Sequence, residues 1–159
     1  MTIYFYSTRK QPYGCFSNFS SHGFELDGYW WKTSEHYFQA QKFVTSDPQW
    51  SDRIRDSKTP KEAARLGRSR QHPLRKDWEE VKENIMERAV FQKFKTHADI
   101  RNILLETGDE AIVENSPIDA YWGCGKDGTG KNRLGQILEI VRDRLKSEES
   151  SPTFTPKSP

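Results

Sequence analysis

The chain has 159 residues, enough for one ordinary domain with one hydrophobic core, and its formal net charge is only +2. That balance excludes a strongly basic protein coating long nucleic acid and fits a single small anionic ligand held by local basic groups. Two cysteines, Cys15 and Cys124, are too few for a disulfide framework, and neither a leader segment nor an apolar run of membrane length is present, so the expected compartment is the cytoplasm, with no membrane partner.

Residues Thr2–Ser7 predict a short strand. Phe24–Leu26 and Tyr29–Lys32 flank Asp27-Gly28, a dipeptide suited to a two-residue hairpin turn, so a small sheet is expected near the N-terminus. The pattern then turns helical. Thr33 can cap a helix running to about Val44, and Asp47-Pro48 can open a short helix carrying Trp50 and Ile54. Thr59-Pro60-Lys61-Glu62 has the form of a capping box, with Gly67 as the stop. Trp78, Val81, Ile85, Ala89 and Phe94 mark a long helix over Asp77–Lys95. Ile100, Ile103 and Leu104 mark another, ended by Gly108; Ala111–Glu114 reads as a short strand, and Leu134, Ile137, Leu138, Val141 and Leu145 define a last helix. The fold class is therefore mainly α, one compact helical domain over residues 1–146 with a small N-terminal sheet or hairpin. Residues 147–159, rich in Ser, Pro, Glu and Lys, are expected to form a disordered tail.

Four segments hold chemistry-bearing residues. In the first helix, Glu35 and Lys42 stand seven residues apart on nearly one side, about 10 Å along the axis, with Gln39 between them. That spacing is too long for a direct ion pair and suits two groups reaching one ligand, although Glu35 also reads as a first-turn acid stabilised by the helix dipole. His36, Ala40 and Phe43 share another stripe and read as core. The glycine-rich run Tyr121–Arg133 nearly matches two phosphate-binding motifs but lacks their strand–loop–helix setting. Its amides beside a helix start, with Lys131 and Arg133, could hold phosphate; an ordinary long connection is the equal alternative. Arg65, Arg68, Arg70, Arg75 and Lys76 form a basic run, either a solvated surface or a phosphate site. Tyr13–Phe19 is an aromatic loop whose Asn18 amide suits a base edge. The four histidines are scattered and the cysteines show no zinc spacing, so no metal or organic cofactor is expected.

In combination, Phe16-Ser17-Asn18-Phe19, Trp31–Lys42, Ala64–Arg68, Leu74–Trp78, Asp119–Gly123 and Gly130–Gly135 resemble the YbiA-like N-glycosidases of the NADAR superfamily, in continuous order from about Ile3 to Leu145. The resemblance implies a mainly α fold and hydrolysis of ribosyl–nitrogen bonds. It points to early riboflavin-biosynthesis intermediates, ribosylamino-pyrimidine 5′-phosphates, with release of ribose 5-phosphate. Two alternatives accompany it: hydrolysis of ADP-ribosylated guanine, and a non-catalytic module binding ADP-ribose or a nucleotide. It favours Glu35 as an active-site group, and Lys42, Asp119 and Trp122 map onto its motifs. From the same matches Glu35 is expected as the acid–base group, Asp119 as a second carboxylate and Lys42 as a possible Schiff-base amine. Trp78, Trp122 or Phe16 would stack on the base, Asn18 would read its edge, and Arg68, Arg75, Lys76 and Lys131 would hold phosphate. Nothing in the pattern specifies an oligomer.

Overall fold

The computed structural model describes residues 1–150. The elements are β1 (Ile3–Phe5), a 3-10 turn at Tyr13–Phe16, β2 (Phe24–Leu26), β3 (Tyr29–Trp31), α1 (Ser34–Gln41), α2 (Pro48–Asp56), α3 (Pro60–Gly67), α4 (Trp78–Thr96), α5 (Ala98–Glu106), β4 (Ile112–Glu114) and α6 (Arg133–Ser150). Helix α6 thus continues through the first four residues of the expected tail, and residues 151–159 lie outside the described part. Among the described residues no helix is long and apolar enough to cross a membrane.

Local chemistry sets most boundaries. Asp27 (φ 55°) and Gly28 (φ 84°) place both turn residues in the left-handed region that a tight primed hairpin needs, joining antiparallel β2 and β3. The side chains of Thr33, Asp47 and Thr59 accept the amide protons of His36, Trp50 and Glu62, capping α1, α2 and α3. The reciprocal half of the expected capping box falls elsewhere: Glu62 Oε2 accepts from the Lys58 amide at 3.4 Å. Strand β1 does not join the hairpin. It pairs in parallel with β4, Ile3 against Ile112 and Phe5 against Glu114, so the strands form two separate ribbons.

Helix α1 is the centre of the molecule, packed against α2, α3 and α4, while α4 also packs on α5 and α6. All eight residues of α1 are buried although most are polar. Buried polar groups need partners, and the neighbours supply them. His36 Nε2 donates to the Ser57 carbonyl at 3.0 Å while Nδ1 lies 2.8 Å from the Thr33 hydroxyl. Tyr37 donates to Asp27 at 2.7 Å, and Arg88 of α4 holds the other Asp27 oxygen at 2.6 Å, tying hairpin, α1 and α4 together. The helix stops at Gln41, short of the expected Val44, because the segment before α4 claims its carbonyls: the Arg75 amide donates to Lys42 and the Arg75 guanidinium to Gln41.

Beneath the loop before the hairpin, the ammonium of fully buried Lys93 donates to the Ser17 carbonyl at 2.9 Å. Burial pulls that amine down to about 7. At the other end of the core, Gly135 of α6 lies against β4 so closely that a Cβ there would sit 2.1 Å from the Ile112 carbonyl oxygen.

Candidate active site

The expected face of α1 carries an acid, an amide and an amine in sequence. The N-terminus of α1 is closed by Asn18, whose carbonyl accepts the Glu35 amide at 3.1 Å and whose Oδ1 accepts the Ser34 hydroxyl at 3.0 Å. The Glu35 carboxylate is 8% exposed and accepts from Gln39 Nε2 at 2.7 Å. Burial raises its pKa above the ordinary glutamate value; the Gln39 hydrogen bond and the charges of Lys42 and Arg68 oppose this, and Asp119 adds to it. Lys42 stands at the helix end, its ammonium 5.8 Å from the ring centroids of both Phe38 and Trp78. Burial lowers its pKa, with Glu35 pulling the other way and Arg68 and Lys82 reinforcing the drop. Its ammonium donates to the Gly67 carbonyl over a long 3.4 Å.

Gly67 has a further reason to be glycine besides ending α3. A Cβ there would lie 2.0 Å from Gln39 Oε1, so the α3 backbone makes the floor on which Gln39 rests. That Gln39 oxygen is buried and has no hydrogen-bond partner among the described residues.

The loop between β4 and α6 supplies the opposing wall. Asp119 Oδ1 accepts the amides of Tyr121 and Trp122 at 2.9 and 2.8 Å, which fixes the turn that presents Trp122. Trp122 is half-buried and meets Phe38 edge-on at 5.3 Å; Phe38 in turn lies 5.1 Å from Trp78. Tyr121 donates to Glu83 at 2.7 Å, and the ammonium groups of Lys82 and Lys131 lie 4.2 and 5.5 Å from its ring centroid. Glu35, Lys42, Asp119, Trp78 and Trp122 are therefore brought together, with Arg68 within electrostatic reach of both Glu35 and Lys42.

Other expected site residues are placed differently. Phe16 is 1% exposed, its ring against Phe5, Tyr13 and Phe94, so it is core and offers no face to a base. Asn18 Oδ1 is taken by Ser34, and its Nδ2 faces Met86 Sδ at 3.4 Å, so its amide closes the start of α1. Arg75 is engaged by Asp77 through two bonds, 2.6 and 3.1 Å, and caps α1 as well, which occupies the fork expected to hold phosphate. Lys76 is exposed. The glycine run is not an anion cradle: the amides of Gly130, Lys131, Asn132, Arg133 and Leu134 donate to the carbonyls of Cys124, Ala120, Gly123, Tyr121 and Trp122. Arg133 is held by both oxygens of Glu83. Lys131 alone keeps its side chain available at the mouth, beside Tyr121.

One acidic residue was missed. Glu114, last of β4, has a buried Oε2 without a hydrogen-bond partner among the described residues, and burial with the charges of Asp119 and Glu35 raises its pKa to about 7. A glutamate ending a three-residue strand carries no signal of this; only the fold turns it inward. Among the described residues no three His, Cys, Asp or Glu side chains are grouped as a metal ion would require.

The NADAR domain model matches residues 4–146. The chain is 55% identical to an N-glycosidase of Nostoc punctiforme, covering 92% of this chain and 94% of that protein. It is 50% identical to N-glycosidase YbiA of Escherichia coli (strain K12), covering 92% and 90%. The NMR structure of the E. coli protein YbiA superposes with a TM-score of 0.86 at 49% identity, over 93% of this chain and 86% of that one. A chloroplastic riboflavin biosynthesis protein of Zea mays, PYRR, is 42% identical over 90% of this chain, which spans 25% of its length. With the domain model and these relatives spanning nearly the whole chain, the protein belongs to the NADAR family.

Proposed function

We propose that this protein is an N-glycosidase that hydrolyses the bond between C1′ of a phosphorylated ribose and an amine nitrogen of a pyrimidine-type base. The observation that carries the reading is the enclosed Glu35 carboxyl on one face with the half-buried Lys42 amine, walled by Phe38, Trp78 and Trp122. The N-glycosidase relatives at 55% and 50% identity support the reaction class. The riboflavin relative, with the motif resemblance, supports ribosylamino-pyrimidine 5′-phosphates as substrate.

The scissile bond is an aminal, since C1′ bears both the ring oxygen and nitrogen. Nitrogen departs with the bonding pair and a proton, leaving an electron-poor C1′ that water captures. Glu35, its proton affinity raised by burial, relays that proton, taking one from the attacking water as the departing nitrogen receives one. In the covalent route the ribose ring opens to an imine, the Lys42 amine adds to C1′, and the base amine leaves with a proton. Water then hydrolyses the lysine imine to free the sugar phosphate and the lysine; burial favours the neutral amine the first addition requires. Asp119 shapes the Trp122 wall through one oxygen and adds negative potential near C1′. Arg68 and Lys131, exposed cations at the margins of the cluster, are assigned to the phosphate, and Trp122 to the base.

Parallel turnover of the ribosylamino-pyrimidine phosphate and of ADP-ribosylated guanosine by the pure protein tests this. Release of ribose 5-phosphate above the spontaneous rate is expected. Faster cleavage of the guanosine conjugate would move the substrate assignment to ADP-ribosyl-guanine, and binding without turnover of either would leave a nucleotide-binding module.

A further inference from the structure

Glu114 is held more tightly than a surface acid needs. Its amide donates to Asn132 Oδ1 at 2.9 Å, its carbonyl accepts from the Cys124 amide at 2.9 Å, and it pairs with Phe5 of β1. Strand alternation puts its side chain on the same face as Ile112, which is fully buried. The carboxyl therefore turns inward, and its Oε2 finds no donor there.

The charged groups around it have one sign. Glu35 faces it from α1 and Asp119 from the loop that follows β4. From α6, which packs on β4, Glu139 reaches the strand's far end at the Ile112 amide, and the nearer Asn132 is neutral. Among the described residues no ion pair includes Glu114. Glu35 differs: Gln39 donates to it, and Lys42 and Arg68 lie near it. Neighbouring carboxyls in a dry site do not all ionise, and the proton stays where the anion is least supported.

We propose that Glu114 is a positioning residue that keeps its proton beside Glu35, standing neutral and so fixing the charge with which Glu35 meets the substrate. One of its oxygens is buried and, among the described residues, has no donor, and Glu114 acts through the neighbouring Glu35. Burial and these two charges support the assignment by keeping it protonated to about 7. The proposal rests on Glu35 being the acid–base group, so its test begins without substrate.

In the substrate-free wild-type protein, the Glu114 carboxyl carbon should titrate near 7 by NMR; titration near the ordinary 4.5 would overturn the proposal whatever the substrate. Glu114→Gln imitates the neutral acid. A raised folded pKa means that the native state binds the extra proton, so wild-type stability falls as pH rises from about 4.5 to about 7. The melting-temperature advantage of Glu114→Gln should grow across that window and level above it, and a constant difference would count against the proposal. With the preferred substrate, the wild-type pH–rate profile should bend near 7 and the Glu114→Gln profile should lose that bend while keeping low-pH activity. An unchanged bend, or a folded variant inactive at every pH, would overturn it.

Discussion

Burial moves the two ionisable groups of the candidate site on and just beyond α1 toward each other in proton affinity, the Glu35 carboxyl upward and the Lys42 amine downward. Glu35→Gln removes proton transfer while preserving size, and its amide can still meet Gln39. If Glu35 is the acid–base group, turnover should fall at least ~10²-fold with little change in melting temperature. Near-normal rates in that variant would remove Glu35 from the mechanism. Lys42→Met keeps the aliphatic stem over Phe38 and Trp78 while deleting the amine. A covalent route predicts loss of turnover in Lys42→Met and a borohydride-trapped adduct in wild type, seen as a mass increase; retained turnover would leave Lys42 a binding group.

At the scale of elements, features set by neighbouring residues were legible in the sequence and those set by distant ones were not. Thr33, Asp47 and Thr59 cap as their spacing indicates, and Asp27-Gly28 turns the hairpin, because each device closes within four residues. The partner of β1 lay 109 residues away. The availability of the glycine-run amides and of the Arg75 fork depended on carbonyls and carboxylates brought in by folding, so the phosphate reading failed at both places. Gly135 shows the same rule with a sign that can be measured. Replacing a helical glycine with alanine ordinarily gains up to ~1 kcal/mol. Here, in the first turn of α6, the new methyl would overlap the Ile112 carbonyl oxygen and the Asn132 side chain, itself tied to β4, and overpacking costs about 1–3 kcal/mol. Gly135→Ala should therefore lower stability by urea denaturation, and a stabilised variant would show that α6 and β4 separate easily.

For the whole molecule, the pairing of β1 with β4 joins the first and last strands of the described residues. It also seats Glu114, so the N-terminal strand supports a carboxyl of the site from behind. Fold and candidate site share one frame in this way: α1, all of its residues buried, carries Glu35 and Gln39, while the β1–β4 ribbon and α6 hold the loop that faces them.

Five consecutive amides at the start of α6, Gly130 to Leu134, are tied to carbonyls of residues 120–124, and this has a consequence for solvent exchange. A loop with four glycines ordinarily opens on its own and trades its amide protons quickly. Here the segment behind Trp122 should open only together with β4 and α6, since the Asn132 side chain also bonds both ends of the Ile112–Glu114 strand along one edge. Deuterium uptake followed residue by residue should be slow at 130–134, as slow as in the buried turns of α6, and fast at Asp127 and Gly128 on the exposed tip. Such a pattern would mean that the wall opposite Glu35 stands ready before substrate arrives, and that substrate is admitted without rebuilding it. Rapid uptake throughout the loop would mean instead that the wall forms around the ligand.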